Sequence, residues 1–220
     1  MGRIDGNLHI GGRLTADAMT IPDDAVTANS IHDDAEILRS QLIQEPLAEF
    51  VIRLTAFRVW DALQTNLPGT SATDDLGLIG GTFGTNSPKL KTYDVKAAGA
   101  VTLRARVLVQ LPVEYEAGQT VNIRLRCEME TTVADVSATV DVEAYQSNDN
   151  GGISADLCAT AAQSINSLTD ANKDFVITPT TLAPGDWLDV RVTIAVNDAA
   201  TATAVLATIG NASLLCDIRG

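Results

Sequence analysis

The feature that most constrains the fold of this chain is a ten-residue segment, 121–130, in which apolar and polar residues alternate at every position. Successive side chains of a β-strand point to opposite faces of the sheet, so this period of two sorts a strand into an apolar face and a polar face. The apolar set is Val121, Ile123, Leu125, Cys127 and Met129. One apolar and one charged face indicate an antiparallel sheet that is buried on one side only.

The same alternation recurs in five further segments: 101–107, 140–144, 175–177, 188–196 and 214–218. Clusters of glycine, proline and asparagine, such as Pro68-Gly69 and Pro184-Gly185, separate these segments and predict turns. Roughly eight strands at this spacing, with no long helical pattern, predict an all-β fold. We expect an antiparallel β-sandwich, jelly-roll-like in its topology.

The segment from Leu47 to Trp60 allows two interpretations. Leu47, Phe50, Val51 and Leu54 have the spacing of a helix, whereas the same stretch is rich in residues that favour strands. We interpret this segment as strand.

Residues 1–46 have a different pattern, in which apolar residues occur singly between glycines and polar residues. Such a segment does not bury a core by itself, but it lacks the high charge density and the prolines typical of disorder. We therefore predict an extended N-terminal arm, 1–46, whose apolar residues are buried by neighbouring chains, followed by a β-sandwich domain, 47–220. A short helix is expected within the arm at 33–44, ended by Pro46.

Charge and hydropathy exclude two classes of partner. The formal net charge is −13, and an acidic surface repels phosphate backbones, so we expect no nucleic acid. No run reaches the roughly 20 apolar residues that span a bilayer, so we expect no membrane partner. The first residues, Met1–Gly6, lack the apolar region of a secretory signal.

The three cysteines, Cys127, Cys158 and Cys216, are odd in number and widely spaced. This arrangement argues against a disulfide framework and against a zinc site. Cys127 and Cys216 occupy apolar positions of strand patterns, where cysteine behaves as a small hydrophobe. Free thiols are typical of a protein made in a reducing cytosol.

The sequence predicts no catalytic residue, no cofactor and no metal site, and hence no enzyme. The only histidines, His9 and His32, lie in the arm, and neither a Gly-x-Ser-x-Gly elbow nor a phosphate-binding glycine loop is present.

Two alternatives stay open. Acidic pairs or the turn 148–152 could bind calcium. A glycosidase pair could come from the acidic residues of the strands, namely Glu114, Glu116, Glu128, Glu130, Asp141 and Glu143.

Segments 6–15 and 21–31 resemble the N-terminal linkers of bacteriophage fibre and decoration proteins. These carry a G-x-L-x-V-x-G-x-L opening and an I-P-x-x-x-V-T-N-x-x-I stretch, and then a G-A-x-I run. Here Ala28 separates the threonine and asparagine, and Asp34 replaces the glycine of the last run. Segments 57–69 and 74–85 also resemble phage virion proteins.

This resemblance implies a non-enzymatic virion structural protein, a homotrimer of jelly-roll-like bodies with extended arms. The role we favour is a capsid decoration or cement protein that binds the major capsid protein on the outer capsid surface and stabilises the DNA-filled head. It would be made in the host cytoplasm. The alternative is a head or tail fibre module that recognises a host glycan. The expected partner-binding residues are those of the arm: Ile4, Leu8, Ile10, Leu14, Ile21, Val26 and Ile31.

Overall fold

The structure, a computed structural model, describes residues 47–147, 150–199 and 202–218. They belong to one compact unit, Glu45–Gly220. The described residues form strands and a single 3-10 turn, Leu54–Ala56. The strands are β1 (Ala48–Val51), β2 (Arg58–Val59), β3 (Ala62–Asn66), β4 (Gly77–Ile79), β5 (Lys89–Lys91), β6 (Gly99–Gln110), β7 (Val121–Met129), β8 (Ser137–Ser147), β9 (Gln163–Ser164), β10 (Ala171–Ile177), β11 (Trp187–Asp198) and β12 (Ala207–Cys216).

The strands form two sheets in which every paired strand is antiparallel to its neighbour. The first sheet has the order β10-β7-β12-β5-β4, and β1 also pairs with β12. Along one side of β12, β5 pairs with Thr208 and Ile209, and β1 pairs with residues 213–216. The second sheet has the order β3-β2-β6-β11-β8-β9. The predicted all-β antiparallel sandwich with jelly-roll character is confirmed.

The core lies between the sheets and consists of the apolar faces that the alternation predicts. In β7, Val121, Ile123, Leu125, Cys127 and Met129 are all buried. The facing sheet contributes alternate residues of its three long strands: Leu103, Ala105, Val107, Ala138, Val140, Val142, Val190, Val192 and Ile194. Phe175 and Ile177 of β10 and the buried Phe57 complete this contiguous cluster. Since buried apolar area is the main favourable term in folding, the two faces hold each other in place.

The inward cysteines are part of this core. Cys127 and Cys216 are buried and free, as their positions in the strand patterns predict. Burial raises the pKa of the Cys127 thiol to about 12 and that of Cys216 to about 11. Both thiols are therefore protonated at neutral pH and serve as packing groups.

The ambiguous segment before Trp60 contains strands, as interpreted, but they are interrupted. β1 pairs with β12 of the first sheet, whereas β2 pairs with β6 of the second, so the chain changes sheets between them. The 3-10 turn makes this corner, and the Phe57 N–H donates to the Leu54 carbonyl at 3.3 Å. Buried Ile52 and Phe57 fix the corner on either side.

Two kinds of strand were not predicted from the alternation. β3, β4, β5 and β9 have two to five residues, too few to show a period. The first half of β12 was missed because its register with β7 shifts between Ile209 and Asn211, at Gly210. A bulge of this kind inserts one residue and reverses the inward-outward pattern.

The predicted arm, 1–46, lies outside the described residues, as does the helix expected at 33–44. The boundary between arm and sandwich at residues 46 and 47 therefore stays a prediction.

The assignment of faces in β7 is tested by two adjacent substitutions. Leu125→Ala is expected to lower the free energy of unfolding by about 2–5 kcal/mol, because Leu125 is fully buried and truncation leaves a cavity. Arg126→Ala, one residue further on the outer face, is expected to lower the free energy of unfolding far less, because Arg126 and its partner Asp170 are both solvent-exposed. Urea unfolding at pH 7 measures both, and equal losses would contradict the assignment.

Candidate functional site

The residues predicted to bind partners all belong to segment 1–46 and lie outside the described residues. The same holds for His9 and His32. Any site in the described part of the chain is therefore built from the outer faces, loops and edges of the sandwich.

The outer face of the first sheet carries paired charges. Arg124 of β7 lies directly opposite Asp174 of β10, and its Nε and Nη2 donate to the two carboxylate oxygens at 2.6 and 2.7 Å. This bidentate hydrogen bond lowers the pKa of Asp174. Arg126 Nε donates a single hydrogen bond to Asp170 Oδ2, and this bond lowers the pKa of that carboxyl.

Glu128 of the same strand and Glu130, just after its end, form ion pairs on the opposite side, across β12. Lys89 Nζ lies 2.7 Å from Glu128 Oε1, and Lys91 Nζ lies 2.5 Å from Glu130 Oε2. β12 lies between the two strands that hold these partners, so the lysine stems pass over it. Fully buried Thr208, paired with both Lys91 and Glu128, lies along this path.

The outer face of the second sheet has a similar ladder. Arg191 of β11 is paired in register with Glu143 of β8, and its Nε donates to Glu143 Oε2 at 2.6 Å. Arg106 of β6 donates through Nε to Asp189 Oδ1 at 2.6 Å, and this hydrogen bond raises the pKa of the guanidinium. Glu143 and Asp189 are thus each neutralised by an arginine.

Trp60 lies on the second sheet beside these pairs. The guanidinium carbons of Arg104 and Arg191 lie 5.2 and 5.5 Å from the centroid of its ring, within cation–π range. Its indole Nε1 donates to Asp74 Oδ2 at 2.9 Å. These contacts make Trp60 a support for the ladder.

Asp141, next to this ladder, has different electrostatics from its neighbours. Burial raises the pKa of its carboxyl, and the charges of Glu143 and Asp156 raise it further. A carboxyl with a raised pKa beside an ionised one is the pattern of a glycosidase pair. Glu143, however, is bound by Arg191, and neither Asp141 nor Glu143 lines the two clefts described next.

The first cleft, here called the β1 groove, lies where β1 of one sheet approaches β6 of the other. It has a volume of about 280 Å³ and is lined by Phe50, Val51, Ile52, Arg53, Ala56, Leu108, Val109, Gln110 and Leu214. Three of its apolar side chains reach solvent, with Phe50 37%, Val51 71% and Leu108 40% exposed. Among the described residues, no strand pairs with the other edge of β1.

The sequence contains a signal for the β1 groove that the analysis of alternation passed over. Val107, Leu108 and Val109 are three consecutive apolar residues in a strand whose outer positions are otherwise polar. Segment 50–52 shows the same run. A break in a polar face is the sequence mark of an exposed apolar patch.

The second cleft, here called the Gly80 cleft, lies beside the loop between β4 and β5. Its volume is about 730 Å³, and its lining is mostly polar: Ile79, Gly80, Gly81, Thr82, Thr85, Asn86, Ser87, Lys89, Lys91 and Glu130. The loop carries Phe83, whose side chain is fully exposed. In the same loop, Gly81 has a φ of +69°.

The calcium alternative can be compared with the structure only over the described residues. Across 47–147, 150–199 and 202–218, no group of three or more His, Cys, Asp or Glu side chains is arranged to hold a metal. In the turn 148–152, the first two residues are outside the described part, and Asn150 Oδ1 accepts the Gly152 N–H at 3.0 Å. No helix in the described part of the chain is long and apolar enough to cross a bilayer.

No family model and no curated protein sequence matches this chain. Solved β-sandwich structures are distantly similar to it. The xylan-binding module CBM15 is 12% identical, with a TM-score of 0.42, over 79% of this chain and 99% of that one. The CBM22-1 xylan-binding domain of Paenibacillus barcinonensis Xyn10C is 10% identical, with a TM-score of 0.37, over 66% and 83%.

A viral protein shows the same distant similarity. A chain of infectious bursal disease virus, Gx strain, is 16% identical, with a TM-score of 0.36, over 60% of this chain and 29% of that one. The chain is thus a β-sandwich with distant structural similarity to carbohydrate-binding modules and to a viral capsid protein. At these values the likeness concerns the fold alone.

Asp141→Asn is expected to raise the free energy of unfolding at pH 7. The raised pKa of Asp141 means that its ionised form is disfavoured in the folded state, so the native aspartate destabilises the protein above its folded pKa. Asparagine keeps an acceptor for the Val142 N–H, which lies 3.0 Å from Asp141 Oδ1. The gain should vanish below the ordinary pKa of 3.8, where folded and unfolded aspartate are both protonated.

Asp174→Asn is the matched control and should act with the opposite sign. The lowered pKa of Asp174 contributes stability above the unfolded pKa, which is lost as pH falls through the folded pKa. We expect a loss of no more than about 1 kcal/mol at pH 7, because both partners are partly exposed. Urea unfolding of both variants between pH 2.5 and 7 tests the pair, and effects of the same sign would refute this account.

Proposed function

We propose that this chain is a non-enzymatic structural protein of a virus particle. Its role is that of a capsid decoration protein, bound as a homotrimer to the outer surface of the major capsid protein lattice. The observation that carries this proposal is the β1 groove, an exposed apolar surface at the start of the sandwich. The resemblance of segments 6–15 and 21–31 to linkers of phage decoration and fibre proteins gives the virion context.

The groove suits a contact between copies of the chain. Phe50, Val51 and Leu108 expose apolar area in one continuous place, and such area is stabilised when another protein covers it. The open edge of β1 offers backbone N–H and C=O groups to a further strand. We assign a second copy of the chain as the occupant, since β1 follows segment 1–46 directly and a ring of three copies would bring three arms together.

In a ring of three, each contact is heterologous, so the groove of one copy meets a different surface of the next. The arms would then extend from the ring to the capsid, where Ile4, Leu8, Ile10, Leu14, Ile21, Val26 and Ile31 would be buried against the major capsid protein. Many such weak contacts, repeated over a lattice, gain affinity through multivalency. The particle would be stabilised against the internal pressure of its DNA.

A fibre module that recognises a host glycan is the second candidate, and the Gly80 cleft favours it. The two roles differ in copy number. A decoration protein is present in roughly hundreds of copies per virion, whereas a fibre is present in a few to some tens. Gel densitometry of purified virions separates them.

The oligomeric state tests the copy-to-copy contact. Light scattering of the full chain should give three chains of 23.2 kDa, about 70 kDa in all. Val51→Glu should shift this mass towards the monomer, because it places a charge in the groove. Val113→Glu is the control, since Val113 is 73% exposed and lies outside the groove. A monomeric wild-type chain, or an equal effect of the two substitutions, would contradict the contact.

The arm is tested on particles. Virions produced with a chain carrying Leu8→Asp and Leu14→Asp should lose most of the protein on purification, because charged residues cannot be buried against the capsid without cost. Those particles should also release DNA at a lower temperature than wild-type virions. The control substitutes Asn7 and Arg13 with alanine. Full retention of the doubly charged chain, or unchanged particle stability after its loss, would overturn the decoration role.

A further inference from the structure

We propose that the Gly80 cleft binds a neutral oligosaccharide, with Phe83 as the side chain that stacks on a sugar ring. This inference rests on the glycan-recognising candidate and narrows its ligand class, and it does not depend on the decoration role or on the β1 groove. The two clefts share no lining residue.

The loop that forms the cleft is held in one conformation. The N–H groups of Thr85 and Asn86 both donate to the Thr82 carbonyl at 2.9 Å. Gly81 has a positive φ, and a Cβ at this position would lie 2.5 Å from the Asn86 carbonyl oxygen, so only glycine allows the loop to close. A binding loop that is ordered before its ligand arrives loses less entropy on binding.

Phe83 has no role in the packing of the sandwich. Its side chain is fully exposed. Phe83 follows Thr82, which lines the cleft, but is not itself a lining residue, so the proposed stacking places the sugar ring at the rim of the cleft. Burying a phenylalanine stabilises a fold, and this fold does not bury Phe83. An aromatic ring held in solvent by a fixed backbone is suited to a ligand with a flat apolar surface, such as the C–H face of a pyranose.

The lining of the cleft selects the polarity of the ligand. Hydroxyls of Thr82, Thr85 and Ser87 and the amide of Asn86 both donate and accept hydrogen bonds, as sugar hydroxyls do. A ligand rich in hydroxyl groups therefore finds both donors and acceptors of hydrogen bonds in the cleft.

The charges at the cleft argue for a neutral ligand. Lys91 is already paired with Glu130 at 2.5 Å, and Lys89 with Glu128 at 2.7 Å. The lysines are therefore engaged and do not form an anion site, and the glutamates do not form a cation site. The volume of about 730 Å³ falls within the range of small-molecule pockets and accommodates more than one sugar unit.

The test uses the full chain and four neutral hexasaccharides, namely cellohexaose, xylohexaose, maltohexaose and mannohexaose, in isothermal titration calorimetry. At least one should bind, and its affinity should change little between 50 and 500 mM NaCl. Phe83→Ala should weaken binding about tenfold, and Thr85→Val should weaken it by a smaller factor. Val113→Ala, which truncates another exposed apolar side chain outside the cleft, should leave affinity unchanged.

Two outcomes would overturn the proposal. One is the absence of binding by all four sugars at millimolar concentration. The other is binding that Phe83→Ala does not weaken. Tighter, salt-sensitive binding of a hexagalacturonate would also exclude the neutral class. Since Phe83 is fully exposed, its truncation should leave thermal unfolding unchanged, so a loss of affinity reports on the site. A negative result leaves the trimer and particle measurements unaffected.

Discussion

The structure depends on the burial of two alternating apolar faces against each other. Long strands such as β6, β7 and β8 place every second residue in the core, and the sheets are joined by those residues together with the corner at Ile52 and Phe57. Because a strand's two faces are tied to one register, the same constraint fixes which residues face solvent. The charged ladders, the β1 groove and the Gly80 cleft are all consequences of that division.

The outer faces are then ordered by pairing of opposite charges between strands. Arginines of β7 pair with aspartates near β10, glutamates of β7 pair with lysines of β5, and arginines of the second sheet pair with acids of β8 and β11. Each exposed pair contributes little to stability. A shifted register, however, would place like charges opposite one another, and that arrangement is destabilising. Exposed apolar side chains that depart from this pattern include Leu108 of β6 and Phe83 of the loop after β4.

The long strands could be read from the sequence because their period of two is uninterrupted, as in Val121–Met129. Three features could not be predicted from the sequence: the corner at 52–57, the bulge at Gly210 and short strands such as β5. They depend on which sheet the chain joins next. The candidate sites were harder still. Leu108 and Phe83 were visible as apolar residues out of pattern, but their exposure follows from how β1 and the loop after β4 are placed.

The way in which β1 is attached has a mechanical consequence. β1 pairs only with β12 among the described residues, and its first residue, Ala48, lies opposite Cys216 near the end of that strand. Tension applied through the segment that precedes β1, and directed away from the sheet edge, would therefore break the hydrogen bonds between β1 and β12 in sequence, beginning at Ala48. The two sheets would stay packed against each other. Four residues would release about 13 Å of slack before buried Ile52 takes the load. Detachment of β1 would lengthen the linker first, and only a further pull would load the core.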